Sequence, residues 1–303
     1  MSWVYVSGEN ILLKLTPDLQ LNQVVSTGPV DDNNKCLPAP SACQIPRIPT
    51  DNFGRVLEIG DNLLVCGSAR LGLCSVHSMA NISVSRDLDP TNQRNYVGSK
   101  NRTFAFFSKS TSANTRDRVL YAGVTYDNRP INLSSKMFAS RVLRQKNEKY
   151  EFEYLLHDKT MQWVSALDIS SQIKQMYLIQ TIYGFELRNF VYFLTVQRES
   201  LDSVNYHTRL GRVCQGDHYY LNYMEIPLQC RKHGVLYNIA MAAWLHQVES
   251  VYSAEDLGTR LRENLLYVTF GKSHPGSSFP DPRFGSALCV YRMRHVVPAS
   301  YLS

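Results

Sequence analysis

The chain has 303 residues, of which 44% are hydrophobic and 19% charged, a composition that supports a large buried core and excludes a disordered chain. Its net charge is +6, from 32 basic and 26 acidic residues, and the basic residues are spread along the chain. Because a nucleic-acid-binding protein concentrates its basic residues on one face or segment, this spread argues against nucleic acid as a partner. The small excess of basic over acidic residues favours acidic partners, such as sulfated glycans, only weakly.

Strand-like runs separated by turn residues follow one another along the whole chain. Residues 150–154 alternate aromatic with acidic side chains, as in a half-buried strand, whereas residues 190–194 are apolar throughout and predict a strand covered on both faces. Helical signals are confined to an N-cap and acidic first turn at residues 253–257, and the β-branched residues at 169–179 weigh against a helix there. We predict strands, in chain order, at residues 3–6, 11–15, 56–59, 63–66, 103–107, 119–124, 152–156, 176–181, 190–196, 220–226, 235–240, 265–270 and 286–291.

This succession of strands predicts an all-β fold. The lack of strand–helix alternation excludes a parallel α/β sheet, and the strand number exceeds that of an immunoglobulin-like domain of about 100 residues. No Pro/Ser-rich linker divides the chain, so residues 1–303 are treated as one domain. A sandwich, a barrel and a propeller remain open, and four-stranded blades repeated around an axis accommodate this many strands most naturally.

Seven cysteines occur, and two pairs of them are close in sequence and enclose turn residues. Two prolines lie between Cys36 and Cys43, and two glycines lie between Cys66 and Cys74. There is no CxxC spacing and no histidine pair to complete a zinc site, so short disulfide loops in an oxidising compartment are the better interpretation. We predict disulfides Cys36–Cys43 and Cys66–Cys74, whose short loops let the Cα atoms approach within bonding range.

Three N-glycosylation sequons begin at Asn81, Asn101 and Asn132, and we predict that these side chains are exposed, since a glycan cannot be attached to a buried one. Residues 1–15 lack the basic and apolar regions of a signal peptide. No apolar run approaches the roughly 18 to 20 residues of a membrane-spanning helix. The chain is therefore either cytosolic with free thiols or an internal piece of a secreted or membrane protein, and the odd cysteine count favours the piece.

The sequence offers no convincing catalytic or metal-binding motif. The Gly-Lys-Ser run at 271–273 resembles the end of a phosphate-binding loop, but Leu266 occupies the position of the required glycine, so a polar turn is the better interpretation. The eight histidines never have ligand spacing. Asp31 and Asp32 follow Gly-Pro in an expected turn, where aspartates bond their own backbone. We predict a protein that is not an enzyme, with no catalytic residue, cofactor or metal.

Five separated segments, in the correct order, resemble the sema domain of plexins. They are WVYVSGEN at 3–10 with residues 15–21 and TGPVDD at 27–32, LVCGS at 64–68 with GLC at 72–74, VYFLTVQ at 191–197, RVCQGD at 212–217 with YMEIPLQC at 223–230, and FGKS at 270–273 with SALC at 286–289. The resemblance implies a partial seven-bladed β-propeller with antiparallel four-stranded blades. Residues 1–303 would hold three to five consecutive blades, with the N-terminal edge and the closing blades missing.

The same resemblance implies a function in recognition. Plexins are single-pass type I receptors, and the sema domain, on the extracellular side of the plasma membrane, binds a semaphorin in axon guidance and cell migration. A co-receptor or a second receptor copy would be a further partner, and membrane contact would come only through downstream segments. No ligand-binding residue is assigned. Residues 197–202 and 207–209 also resemble hepatocyte-growth-factor-receptor-type kinases, which stay an alternative, and a β-propeller enzyme is the alternative from another class.

Two further cysteine predictions depend on the resemblance. In the sema pattern the positions of Cys230 and Cys289 pair across neighbouring strands. Cys214 would, by the same resemblance, pair with a cysteine C-terminal to Ser303, so we predict that it is unpaired by truncation. A free buried thiol is the alternative for Cys214.

Overall fold

The computed structural model describes residues 3–38, 44–60, 62–108, 118–146, 149–156, 160, 163–250, 254–255 and 257–296. Within these ranges antiparallel strands form five main sheets, numbered I to V in chain order, and two small sheets of two strands each. Each main sheet is a meander in which strands adjacent in sequence are hydrogen-bonded neighbours.

The strands of the main sheets follow the chain without interleaving. Sheet I contains β1 (Val4–Ser7), β2 (Ile11–Leu15) and β3 (Leu21–Ser26). Sheet II contains β6 (Gly54–Ile59), β7 (Leu63–Gly67), β8 (Cys74–His77) and β9 (Ser85–Asp87). Sheet III contains β10 (Thr103–Phe107), β11 (Val119–Val124), β12 (Phe138–Lys146) and β13 (Lys149–Tyr154), and β14 (Ala166–Leu167) also pairs with β12.

The remaining elements complete two more sheets and the connections. Sheet IV contains β15 (Ile179–Leu187), β16 (Phe190–Arg198), β17 (Tyr206–Cys214) and β18 (Met224–Leu228), and sheet V contains β21 (Ile239–Gln247), β22 (Asn264–Gly271) and β23 (Ser286–Arg292). The small sheets pair β4 (Val30–Asp32) with β5 (Ile48–Thr50) and β19 (Cys230–Lys232) with β20 (Val235–Tyr237). Helix α1 (Met293–Val296) and 3₁₀ turns at Arg70–Gly72, Gln93–Asn95, Ile131–Leu133 and Pro282–Phe284 are short.

The five sheets are arranged as a fan. The first strands of successive sheets contact one another: β1 with β6, β6 with β10, β10 with β15, and β15 with β21. Apolar side chains fill each space between neighbouring sheets, as where Phe138 of sheet III stacks on Phe193 of sheet IV with ring centroids 4.2 Å apart. Consecutive antiparallel sheets that share inner strands and pack face to face form a β-propeller. The predicted all-β propeller fold is confirmed.

A close backbone approach joins sheets II and III at Gly72. Its φ of +79° lies in the left-handed region, and a Cβ added there would lie 1.9 Å from the carbonyl oxygen of Gly98. The two residues are linked by a hydrogen bond from Gly98 N to Gly72 O of 3.0 Å. Only glycine satisfies both conditions at position 72.

Several local predictions need correction. Asp31 and Asp32 lie in β4 and not in a turn, and Asp32 Oδ2 accepts a hydrogen bond of 2.9 Å from the backbone N of Arg70. The predicted strand at 220–226 begins only at Met224, because Tyr220 has a φ of 61° and belongs to a turn. Of the helical turn expected at 253–257, Ala254 and Glu255 are helical, while Ser253 and Asp256 lie outside the described residues.

Candidate protein-binding face

The loops at one end of the sheets form a continuous layer, here called the loop face. Hydrogen bonds join most of the neighbouring loops, for example from Lys100 N to Asp127 Oδ2 at 2.8 Å and from Gly276 N to Val204 O at 3.0 Å. The loop face consists of residues 8–10, 51–53, 68–72, 98–102, 125–136, 168–178, 199–205 and 272–285. Because its loops are tied to one another as well as to the strands, it is a preorganised surface.

The Arg129 side chain connects several loops of this layer. Its guanidinium is 3% exposed and lies 2.5 Å from Asp127 Oδ2, whose side chain is 4% exposed. It also donates to the backbone carbonyls of Leu71 and Gly98. Burial by itself raises the pKa of Asp127, but the hydrogen bonds and the positive charge of Arg129 outweigh it, and the net pKa is lowered. A buried, fully paired charge thus joins loops from sheets II and III.

Asparagine side chains likewise connect the loops of sheets I and II through hydrogen bonds. Asn10, with a φ of 59°, accepts the backbone N–H of Asn52 at 2.7 Å. Asn52 donates to Thr27 O at 2.9 Å and accepts from the backbone N of Ala69 at 3.1 Å. Side-chain amides therefore supplement the backbone hydrogen bonds, such as Asn10 N to Asn52 O at 2.9 Å, where the strands end.

A groove of about 730 Å³ opens in the loop face between sheets III and IV. Met176 and Leu201 lie on its walls with 58% and 50% of their surface exposed, beside Tyr126 and Tyr206. An exposed methionine and an exposed leucine beside partly or fully buried tyrosines, within a polar rim, are typical of a protein-binding surface. The groove is the candidate contact site for a protein ligand.

The three sequon asparagines are all exposed, as predicted. Asn81 Oδ1 accepts the backbone N–H of Ser83 at 3.1 Å, and Asn132 lies in a 3₁₀ turn. Asn101 lines the groove and donates from Nδ2 to Tyr126 O at 2.6 Å. Glycosylation at the three positions stays a prediction, and a glycan on Asn101 would stand at the edge of the groove.

Two of the predicted disulfides are confirmed. Cys66 and Cys74 are cross-strand partners in β7 and β8, with sulfur atoms 2.03 Å apart. Cys230 and Cys289 join β19 to β23, with sulfur atoms 2.11 Å apart and Cα atoms 5.8 Å apart. The second bridge links a small sheet to the outer strand of sheet V.

The other three cysteines have different outcomes. Cys36 is buried and disulfide-bonded, but Cys43 lies outside the described residues, so the pairing of these two stays a prediction. Cys214, at the end of β17, is a free, half-buried thiol, as predicted. That truncation is the reason for its free state stays a proposal.

The residues considered for other chemistry have structural roles. Gly271 ends β22, and Ser273 is held by Asn238, whose Oδ1 accepts the Ser273 N–H at 3.1 Å and whose Nδ2 donates to Ser273 Oγ at 2.9 Å. Among the residues that the structure describes, no group of three His, Cys, Asp or Glu side chains could hold a metal ion. In the same part of the chain, no helix has the length and apolar character needed to cross a membrane.

Sequence reasoning did not find the loop face or its central ion pair. The sequence at residues 127–130, Asp-Asn-Arg-Pro, is typical of an ordinary polar turn, whose side chains are normally solvated. A charged pair separated by one residue in a turn gives no indication that both members will be buried by another loop. Two consecutive sequons near such turns were the only local signal that these loops face outward.

Among the known proteins and solved structures that this chain resembles are plexins. No family model matches the sequence. Mouse and human Plexin-A4 are each 28% identical over 312 residues, which cover 97% of this chain and 16% of the relative, so the chain spans about a sixth of the length of these curated relatives. A structure of the plexin A4 full extracellular region, domains 1 to 8, superposes with a TM-score of 0.79 at 26% identity, covering 97% of this chain and 33% of the other. A chain of the Drosophila Plexin A complex with Semaphorin 1b shares the fold, with a TM-score of 0.50, 14% identity, and coverage of 96% of this chain and 49% of the other.

Proposed function

Since this chain is related to plexins and has their sema-domain fold, we propose that it is part of the extracellular, plasma-membrane-bound region of a receptor that recognises a semaphorin. The observation that carries the proposal is the match to the plexin A4 extracellular region across 97% of the chain. The complex of Drosophila Plexin A with Semaphorin 1b, a chain of which has this fold, supports a semaphorin as ligand. The chain acts as a binding module and not as an enzyme.

The loop face is the proposed contact surface. It is wide and rigid, and its groove offers Met176 and Leu201 to a partner. A standard protein–protein interface buries about 1,600 Å² in total, which requires a broad surface and no deep pocket. Exposed apolar side chains at the centre of such a surface contribute most of the affinity.

We further propose that residues 1–303 are one part of a larger propeller. Val6 and Val24 on the outer face of sheet I, and Trp244 and Leu288 on the outer face of sheet V, are 40%, 53%, 64% and 61% exposed. These two faces have the apolar character of the internal sheet faces that pack on neighbours. Further blades would cover them in a complete sema domain.

Surface plasmon resonance against a panel of semaphorin extracellular regions tests the function. We expect at least one semaphorin to bind, and Met176→Glu with Leu201→Glu to weaken binding by tenfold or more, since two charges would be placed in the buried centre of the contact. Leu221→Glu is the matched control, because Leu221 is 72% exposed in the β17–β18 connection at the opposite end of sheet IV. Binding unchanged by the groove variant would exclude the loop face, and binding to no semaphorin would contradict the proposed function.

A further inference from the structure

A second cavity, of about 650 Å³, lies beside sheet III and apart from the groove. Its wall includes the basic residues Arg94, Lys136, Arg141 and Lys174 and the acidic residue Asp168. Asparagine, serine and tyrosine side chains supply most of the remaining lining, with Ile131 and Ile169 as apolar members. The cavity is therefore basic and rich in hydrogen-bonding groups.

Arg141 is the unusual member of this wall. It lies in β12, is 1% exposed, and has no hydrogen-bond partner at Nε or Nη1 among the residues that the structure describes. Its guanidinium carbon lies 5.8 Å from the centroid of the Tyr154 ring. Burial lowers the pKa of the Arg141 guanidinium, but an arginine stays charged in proteins. A buried cation with two unpartnered nitrogens is strongly unfavourable unless an acceptor occupies the site.

The acidic residue in the wall is already neutralised by its neighbours. Lys174 Nζ lies 2.9 Å from Asp168 Oδ1 and 3.0 Å from Oδ2, and Lys136 Nζ lies 3.7 Å from Oδ2. Lys174 is 5% exposed and also donates to Ser134 Oγ, so it is fully engaged within the protein. The charges of Asp168 and Lys174 cancel each other. The remaining basic residues of the wall, Arg94, Lys136 and Arg141, give the cavity an excess of positive charge.

We propose that this cavity binds an acidic saccharide whose sulfate or carboxylate group accepts hydrogen bonds from Arg141. A cavity of this volume holds a small ligand. An anionic oxygen would supply the acceptor that Arg141 lacks, with Arg94 and Lys136 adding charge at the entrance. The amide and hydroxyl groups of Asn92, Ser135 and other wall residues match the hydroxyl groups of a sugar ring. The proposal does not rest on semaphorin recognition, although residues 131–136 and 168–174 of the loop face line part of the cavity.

Calorimetric titration tests the proposal with three probes: a sulfated disaccharide from heparin, the same disaccharide after desulfation, and inorganic sulfate. All variants carry Asn132→Gln, because Asn132 lies on the cavity wall and a glycan there could compete. We expect the sulfated disaccharide to bind more tightly than the other two probes. Arg141→Met should weaken it about ten- to a hundredfold, since one charge-assisted contact is lost. Arg231→Ala, in β19, removes an exposed charge elsewhere and should change nothing.

Folding of each variant is checked by thermal unfolding without ligand. Methionine has the length and apolar character to replace the buried arginine, and such replacements are often neutral or stabilising. If Arg141→Met does not fold, the double variant Arg94→Ala with Lys136→Ala, at the entrance, replaces it in the titration. We expect this double variant to bind the sulfated disaccharide severalfold more weakly. Unchanged affinity in the folded variants would overturn the proposal. Inorganic sulfate binding as tightly as the disaccharide would reduce the site to an adventitious ion only and overturn the saccharide assignment.

Discussion

The guanidinium of Arg129 donates to Asp127 and to two backbone carbonyls, so loops from two sheets depend on one buried side chain. Removing it would leave the Asp127 carboxylate buried without its cation. We expect Arg129→Met to lower the free energy of unfolding by about 3–5 kcal/mol, measured by chemical denaturation. The double variant Arg129→Met with Asp127→Asn should recover part of that loss.

The matched control for Arg129 is an ion pair of similar length at the surface. Arg283 lies 2.6 Å from Asp281 but is 78% exposed. Water screens such a pair, so Arg283→Met should change stability little. Equal effects of the two substitutions would contradict a structural role for the Arg129 pair.

Glu58 gives a prediction on pH. Burial raises its pKa to about 7, against the opposing effects of a hydrogen bond from Phe107 N and the positive charge of Arg118. Between about pH 4.5 and 7 the folded chain therefore binds more protons at this site than the unfolded chain, and the contribution of Glu58 to stability falls as pH rises through that window. Glu58→Gln should be near neutral at pH 5 and stabilising by about 1–3 kcal/mol at pH 8, by denaturation at both pH values. The exposed Glu9→Gln is the control, and an equal effect of Glu58→Gln at the two pH values would contradict the prediction.

At the level of elements, sequence patterns found the strands whose buried faces are apolar. β2, β10 and β11 have the predicted bounds, and β16 is the continuous apolar run, buried at nearly every position. The pattern missed β12 and β17, because both carry polar residues that the fold buries, such as Arg141 and Thr208. Thr208 is satisfied by Asn238 O and the backbone N of Ala240, which are distant in sequence, so no local signal marks its burial.

The two described disulfides differ in the length of chain that they close. Cys66 and Cys74 are 8 residues apart, and Cys230 and Cys289 are 59 apart. In the chain-entropy account, removing the Cys230–Cys289 bridge lowers the free energy of unfolding by about 4 kcal/mol, and removing the Cys66–Cys74 bridge lowers it by about 2.5 kcal/mol. We expect paired alanine substitutions to follow that order in denaturation experiments, in a Cys214→Ser background that prevents thiol exchange. The reverse order would show that native-state packing, and not loop length, decides the contribution of each bridge.

At the scale of the whole molecule, the fan of sheets could be predicted only through family resemblance. Composition and periodicity left a sandwich, a barrel and a propeller open, since all three bury alternating strands. What distinguishes the propeller is the contact of β1, β6, β10, β15 and β21, each the first strand of its sheet, and these contacts join residues tens of positions apart. The spaced segments that resemble plexins identified the arrangement because they carry information from outside this chain.

The fan leaves one apolar sheet face open at each end. On sheet I, Val4 lies opposite Leu15 and Leu15 opposite Leu21, and on sheet V, Trp244 lies opposite Tyr267 and Tyr267 opposite Val290. Contiguous apolar patches of this kind promote association. Because the two faces are different surfaces of one molecule, contact between them is heterologous and can extend from copy to copy. We therefore expect the isolated chain to self-associate as its concentration rises.

Sedimentation of two complementary variants tests this expectation. Trp244→Ser with Leu288→Ser makes the sheet V face polar, and Val6→Ser with Val24→Ser does the same for sheet I. Each variant alone should remain monomeric, because it lacks one of the two faces that a contact requires. A mixture of the two should form dimers that grow no further, since each keeps the face that the other has lost. Leu221→Ser, outside both faces, should associate like the unmodified chain. A mixture that stays monomeric, or variants that associate like the unmodified chain, would show that the open faces do not bind each other.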